Sequence, residues 1–99
     1  MYIIELTYKV PTTVIDEQIA SHMAYLEKYY ASGHFLASGR KEPRDGGIIM
    51  AVAANRKKVE EIINEDPFKQ KGLADYRIIE FKATKNVKAY SAFVGDGEE

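Results

Sequence analysis

The run Ile48-Ile49-Met50-Ala51-Val52-Ala53 is apolar at every position. A strand with one face in water alternates, so an unbroken apolar run of this length reads as a central strand covered on both faces. Just before it, Pro43 and Asp45-Gly46-Gly47 mark residues 40–47 as a turn, and His34-Phe35-Leu36-Ala37-Ser38-Gly39 on the far side of that turn reads as a second strand. Further out, Tyr2, Ile4, Leu6, Tyr8 and Val10 alternate with Ile3, Glu5, Thr7 and Lys9, the period of a strand with one strongly apolar face, which Pro11 ends. Residues 76–83 supply a fourth strand.

Two helices fill the gaps. Thr13 followed by Asp16 resembles a capping box, and Ile15, Ile19, His22, Met23, Leu26 and Tyr30 recur at helical spacing until Gly33. Asn55 is the N-cap of a second helix with Val59, Ile62 and Ile63 on its apolar face; Asp66-Pro67 stops it and opens a short extra turn to Gly72. The order predicts an α+β fold of the ferredoxin-like kind, a βαββαβ antiparallel sheet with two helices on one face. With helices for one face only, the two-sided third strand argues for a homodimer in which two sheets cover each other. Glu5, Thr7 and Lys9 make the space between such sheets partly polar.

A chain of 99 residues buries one core, so residues 1–99 read as a single domain: a ferredoxin-like unit over 1–83 and a C-terminal extension over 84–99. In the extension Ala89, Tyr90, Phe93 and Val94 are apolar enough to pack on the sheet or on a partner, and residues 95–99 are expected to fray. A hydrophobic share of 45% with 29% charged residues is that of a folding chain and not of a disordered one. Fourteen basic and fifteen acidic residues nearly cancel, giving no general attraction to nucleic acid or to an anionic membrane. The same strand and helix order builds an RNA-recognition module, but the third strand lacks the stacking aromatics that module needs.

Without cysteine there is no disulfide scaffold, thiolate metal site or thiol nucleophile. No axial-ligand motif or glycine-rich cofactor loop is present, so no cofactor is expected, and His22 and His34 at their separation are weak grounds for a metal. The N-terminal segment has no basic leader and no apolar run reaches membrane-spanning length, so the expected location is the cytoplasm.

Helical spacing puts His22 on the apolar face of the first helix and Asp66 on the corresponding face of the second, both turned toward the sheet. A carboxylate against an imidazole fixes its tautomer and stabilises its protonated form, which makes a general base. Spacing alone equally allows a satisfied core histidine and an aspartate that merely caps the turn at Pro67. His34 reads as an exposed partner of the helix dipole, and the seven tyrosines divide between core and any aromatic pocket. Arg40-Lys41-Glu42-Pro43-Arg44 reads as an anion-binding loop or a solvated turn, with Glu42 and Asp45 favouring the solvated turn.

His22-Met23-Ala24-Tyr25-Leu26, then Gly33-His34-Phe35-Leu36-Ala37-Ser38-Gly39, then Asp66-Pro67-Phe68 with Gly72-Leu73, resemble the successive signatures of the YCII-related family over most of residues 1–83. The resemblance implies a dimeric α/β barrel and a His-Asp active site. Carried over by residue, the pair is His22 and Asp66, with Ser38 and Gly39 bordering a substrate pocket. One characterised relative is a dehydrochlorinase of a chlorinated hydroxyquinol. The chain departs from many relatives at Ile19, where they have arginine, and at Arg40, where they have proline. Two functions follow: a cofactor-independent lyase or isomerase using the His-Asp pair as general base on a small molecule, or a noncatalytic ligand-binding or dimeric interaction module.

Overall fold

Seven residues of alternating burial make the first strand, and the sheet is organised around it. In the computed structural model, which describes residues 1–90, β1 (Tyr2–Tyr8) pairs antiparallel with β3 (Gly46–Ala51) on one side and β4 (Ala74–Glu80) on the other. β2 (Phe35–Arg40) lies beyond β3, giving the order β2-β3-β1-β4 of the expected ferredoxin-like sheet. β1 also sets the ends of its neighbours. β3 runs from Gly46 to Ala51 and not over 48–53 because Ala51 already faces Tyr2, after which β1 offers no partner. β4 likewise starts at Ala74, opposite Tyr8, two residues earlier than the alternation predicts, and ends at Glu80, opposite Tyr2, three residues earlier.

The helices lie in the predicted gaps with one division. α1 (Thr12–Glu17) and α2 (Ile19–Ala31) are separated at Gln18, whose backbone leaves the helical region without a glycine or proline to cause it. The capping box is not formed. Pro11 occupies the N-cap with no side-chain bond, and Asp16 pairs with Arg44 across the molecule instead of reaching back to the helix start. At the other end α2 closes as expected on Gly33 at φ 85°, where His34 N–H bonds the Tyr29 carbonyl and Gly33 N–H that of Tyr30, the double bond of a Schellman motif. Asn55 caps α3 (Arg56–Ile63) by accepting from Lys58 N–H at 2.9 Å, and Asp66 caps the single turn α4 (Pro67–Gln70), which ends on Gly72 by the same device.

The register assigns each side chain a face. Rows Ala51–Tyr2, Ile49–Ile4 and Gly47–Leu6 belong to the helix side, where Ile4, Ile15, Val59, Ile62 and Phe68 are almost completely buried. Met50, Ile3 and Ile79 form a row on the outer face, followed by Ile48, Glu5 and Arg77. The apolar third strand is therefore buried on its helix face and only half-buried on the other. In the extension, Lys88–Tyr90 form one 3-10 turn and Ala89 is exposed; Phe93, Val94 and residues 95–99 lie outside the described residues.

The start of β3 presses against β1 so closely that a Cβ on Gly46 would lie 1.8 Å from the Leu6 carbonyl oxygen, whereas one on Gly39 would meet nothing within 4 Å. Gly46→Ala should therefore lower stability by more than about 2 kcal/mol through forced strand displacement. Gly39→Ala should stay within about 0.5 kcal/mol of wild type, urea unfolding midpoints being the measurement for both.

Candidate functional site

Asp66 is completely buried, the one charged side chain so placed among the described residues. A carboxylate removed from water is costly unless donors surround it. Three do. Phe68 N–H donates to Oδ1 at 3.0 Å, the Tyr76 hydroxyl to Oδ2 at 2.6 Å, and His22 Nδ1 lies 2.9 Å from Oδ1. A carboxylate only accepts, so Nδ1 carries the proton and the lone pair of the neutral ring sits on Nε2. Nε2 has no hydrogen-bond partner among the described residues, and the His22 side chain is 12% exposed.

Asp66 thus caps α4 and contacts His22 with one side chain. In capping α4 it fixes Phe68, and the imidazole of His22 stacks on that ring, centroids 4.1 Å apart and planes within 4°. Ring plane, tautomer and position of His22 all follow from the one carboxylate. Tyr76 was not among the sequence candidates. Its signal is weak, a tyrosine in the apolar alternation of β4, and only the register that sets it opposite Leu6 carries its hydroxyl to Asp66. Burial, then the Asp66 charge, push the Tyr76 hydroxyl well above its ordinary pKa and keep it a donor. The Tyr25 hydroxyl is buried nearby with no hydrogen-bond partner among the described residues, and burial raises its pKa also.

His22 opens into a cavity of about 750 Å³ between α2 and the sheet. Leu26, Met23 and Ile19 roof it, Leu6, Ile49 and Gly47 floor it, and Tyr8 and Phe68 close one side. Ser38 and Gly39, the expected border residues, line it; the Ser38 hydroxyl is spent on Tyr30 at 2.6 Å, near the surface. A bulge in β2 decides this lining. Phe35 pairs with Ala51 but Ala37 with Met50, so Leu36 is an extra residue that shifts the alternation. Phe35 is thereby buried in the core while Ser38, opposite Ile49, and Arg40, opposite Gly47, also face the helices.

The loop from Arg40 to Arg44 is not a uniformly solvated turn. Lys41 goes to the outer face, 3.3 Å from both Glu5 and Thr7, whereas Arg40 and Arg44 line the cavity. Arg44 Nη2 donates to Asp16 at 2.5 Å, and this bond holds the Asp16 carboxyl below the ordinary carboxylate range. His34 is half-buried and not exposed, its Nδ1 2.7 Å from the Ser32 hydroxyl, and it does not line the cavity. Tyr2, Tyr25 and Tyr29 pack in the core, while Tyr8 and Tyr30 line the cavity.

Comparison with known proteins agrees with this architecture. A solved structure, the 5-chloro-2-hydroxyhydroquinone dehydrochlorinase TftG from Burkholderia phenoliruptrix AC1100 in complex with 2,5-dihydroxybenzoquinone, superposes with a TM-score of 0.69 at 21% identity, over 83% of this chain and 94% of that one. At that identity the likeness is one of fold. No curated protein matches the chain. The family model of the YCII-related domain matches residues 1–82. With most of its length, the whole sheet and the His22–Asp66 contact inside that match, the chain belongs to the YCII-related family.

Proposed function

We propose that this protein is a cofactor-independent small-molecule enzyme of the lyase or isomerase kind, with His22 as general base and Asp66 as the residue that orients it. The observation that carries the reading is the 2.9 Å contact between His22 Nδ1 and a fully buried carboxylate beside a cavity large enough for a small ring compound. Nε2 would take a proton from a substrate hydroxyl or acidic carbon, and the developing imidazolium would be stabilised by Asp66. Tyr76 and the Phe68 amide hold the carboxylate in place. The solved structure similar in fold is a dehydrochlorinase holding 2,5-dihydroxybenzoquinone. Loss of HCl parts a proton from a chloride, and a fixed base supplies the first half of that chemistry.

We further read residues 1–99 as one domain of a cytoplasmic homodimer whose partner is a second copy and whose ligand is a small molecule, with Ser38 and Gly39 contributing to the substrate pocket. Support for the dimer is the outer sheet face, where the Met50, Ile3 and Ile79 row is apolar and Ile79 stays more than a third exposed in the single chain. Among the described residues no helix is long and apolar enough to cross a membrane.

Nitrogen-15 NMR of the imidazole tests the orientation. Wild type should show Nδ1 protonated in the neutral ring. In Asp66→Ala, compared with wild type once its amide spectrum shows a folded chain, Nδ1 loses its acceptor and the proton should move to Nε2; an unchanged tautomer would sink the role given to Asp66.

Turnover tests the function. With 5-chloro-2-hydroxyhydroquinone as substrate, chloride release by wild type should fall by about 10²-fold or more in His22→Gln, while affinity for 2,5-dihydroxybenzoquinone changes little. Tight binding of the quinone with no chloride release from wild type would favour the noncatalytic ligand-binding module.

A further inference from the structure

We infer that Arg40 and Arg44 form a guanidinium subsite that binds an anionic oxygen of a planar ring ligand in the cavity that His22 also lines. The inference rests on reading that cavity as a substrate site. Its grounds are the hydrogen-bonding states of the two arginines. Among the described residues Arg44 is anchored through Nη2 on Asp16, with Tyr8 near enough to act on its charge, while its Nε is buried with no hydrogen-bond partner. A buried N–H of a charged group left unsatisfied is unfavourable, and a turn of the guanidinium toward a ligand oxygen in the cavity is one way to satisfy it. Arg40, brought to the same face by the bulge at Leu36, makes no hydrogen bond or ion pair among the described residues although it lines the same cavity.

Arg40 is exposed and Arg44 partly so, yet both line the cavity on the helix side of the sheet. Lys41, between them in sequence, is paired with Glu5 on the other face of the sheet, so the loop sorts its cations and sends two guanidiniums to the cavity. The lining also carries Asp16, already held by Arg44, and Glu27, exposed and in no ion pair among the described residues. Formal charges on the wall therefore balance, and recognition lies in directed N–H donors, not in a net field. Guanidinium forks suit planar oxyanions such as a carboxylate or the enolate of a hydroxyquinone. The rest of the cavity is apolar, with Leu26, Met23 and Ile49 across from one another, which fits the ring carrying that oxygen. One ligand thus spans three chemistries: anionic oxygen at Arg40 and Arg44, ring between helix and sheet, and transferable proton at His22.

Calorimetric titration of the full chain distinguishes these groups with three probes: 2,5-dihydroxybenzoquinone, which is acidic and anionic near neutrality, its neutral 2,5-dimethoxy counterpart, and benzoate. Wild type should bind the dihydroxy compound about tenfold or more tightly than the dimethoxy one, the loss of a charge-assisted hydrogen bond. Arg40→Gln should weaken the dihydroxy probe by a similar factor and leave the dimethoxy probe within about twofold. Benzoate tells a carboxylate-binding subsite from one that needs the enolate. Arg44→Gln also releases Asp16, so its effect counts only if its unfolding midpoint is that of wild type, whereas Arg40 acts on Asp16 by charge alone and makes no hydrogen bond or ion pair among the described residues. Equal affinity of wild type for the two quinones, or unaltered binding of the dihydroxy probe by Arg40→Gln, would overturn the subsite. The readout is binding and needs no turnover. Chloride release with an unchanged KM in Arg40→Gln would therefore remove the subsite and leave the base reading intact, while anion binding without turnover would do the reverse.

Discussion

A carboxylate taken wholly out of water must be compensated by its surroundings, and Asp66 is compensated by three elements that are distant in sequence. α2 brings the His22 imidazole, β4 the Tyr76 hydroxyl and α4 the Phe68 amide. Each donor is also positioned by the charge it serves, since the cap at Asp66 is what turns the chain into α4 and sets Phe68 under the imidazole. Removing one donor would leave the others around a poorly solvated charge, so the three contacts act together rather than as separate increments. The orientation of the imidazole is thus a by-product of stabilising the burial.

Around that point the sheet supplies two faces of different character. On the helix side the rows through Ile4 and Leu6 are covered by Ile15, Val59, Ile62 and Phe68, and the cavity lies where Gly47, in the row between Arg40 and Leu6, contributes no side chain. On the outer side an apolar row gives way to Glu5 with Lys41 and Arg77 around it. The loop between β2 and β3 connects the two, and its cations divide according to which face their carboxylate is on: Lys41 to Glu5, Arg44 to Asp16. Charges adjacent in sequence thus come to serve opposite surfaces.

Much of the architecture is legible one residue at a time. Alternation in β1, the Asn55 cap and the glycines that close α2 and α4 are local signals, decided within a few residues by sterics and by backbone groups that need partners. The face of α2 that carries His22 and the face that Asp66 occupies are equally local, because helical spacing sets both. What failed was also physical. The capping box at Thr13 was a pattern whose acceptor, Asp16, had a stronger partner in Arg44, 28 residues away. The predicted bounds of β3 and β4 were shifted because a strand ends where its neighbour does, which no property of its own residues records.

By itself, then, the sequence determined the order of elements, the family signatures and the two residues of the buried pair, since each depends on spacing along one segment. Only the tertiary structure decided that Tyr76 completes the donors around Asp66 and that Ser38 and Arg40 face the cavity. The first depends on the register of β4 against β1. The second depends on one extra residue, Leu36, in β2. Because side chains alternate with a period of two, a single bulged residue exchanges the faces of everything beyond it, and whether a strand bulges is settled by its pairing partner and by the core that must accept Phe35.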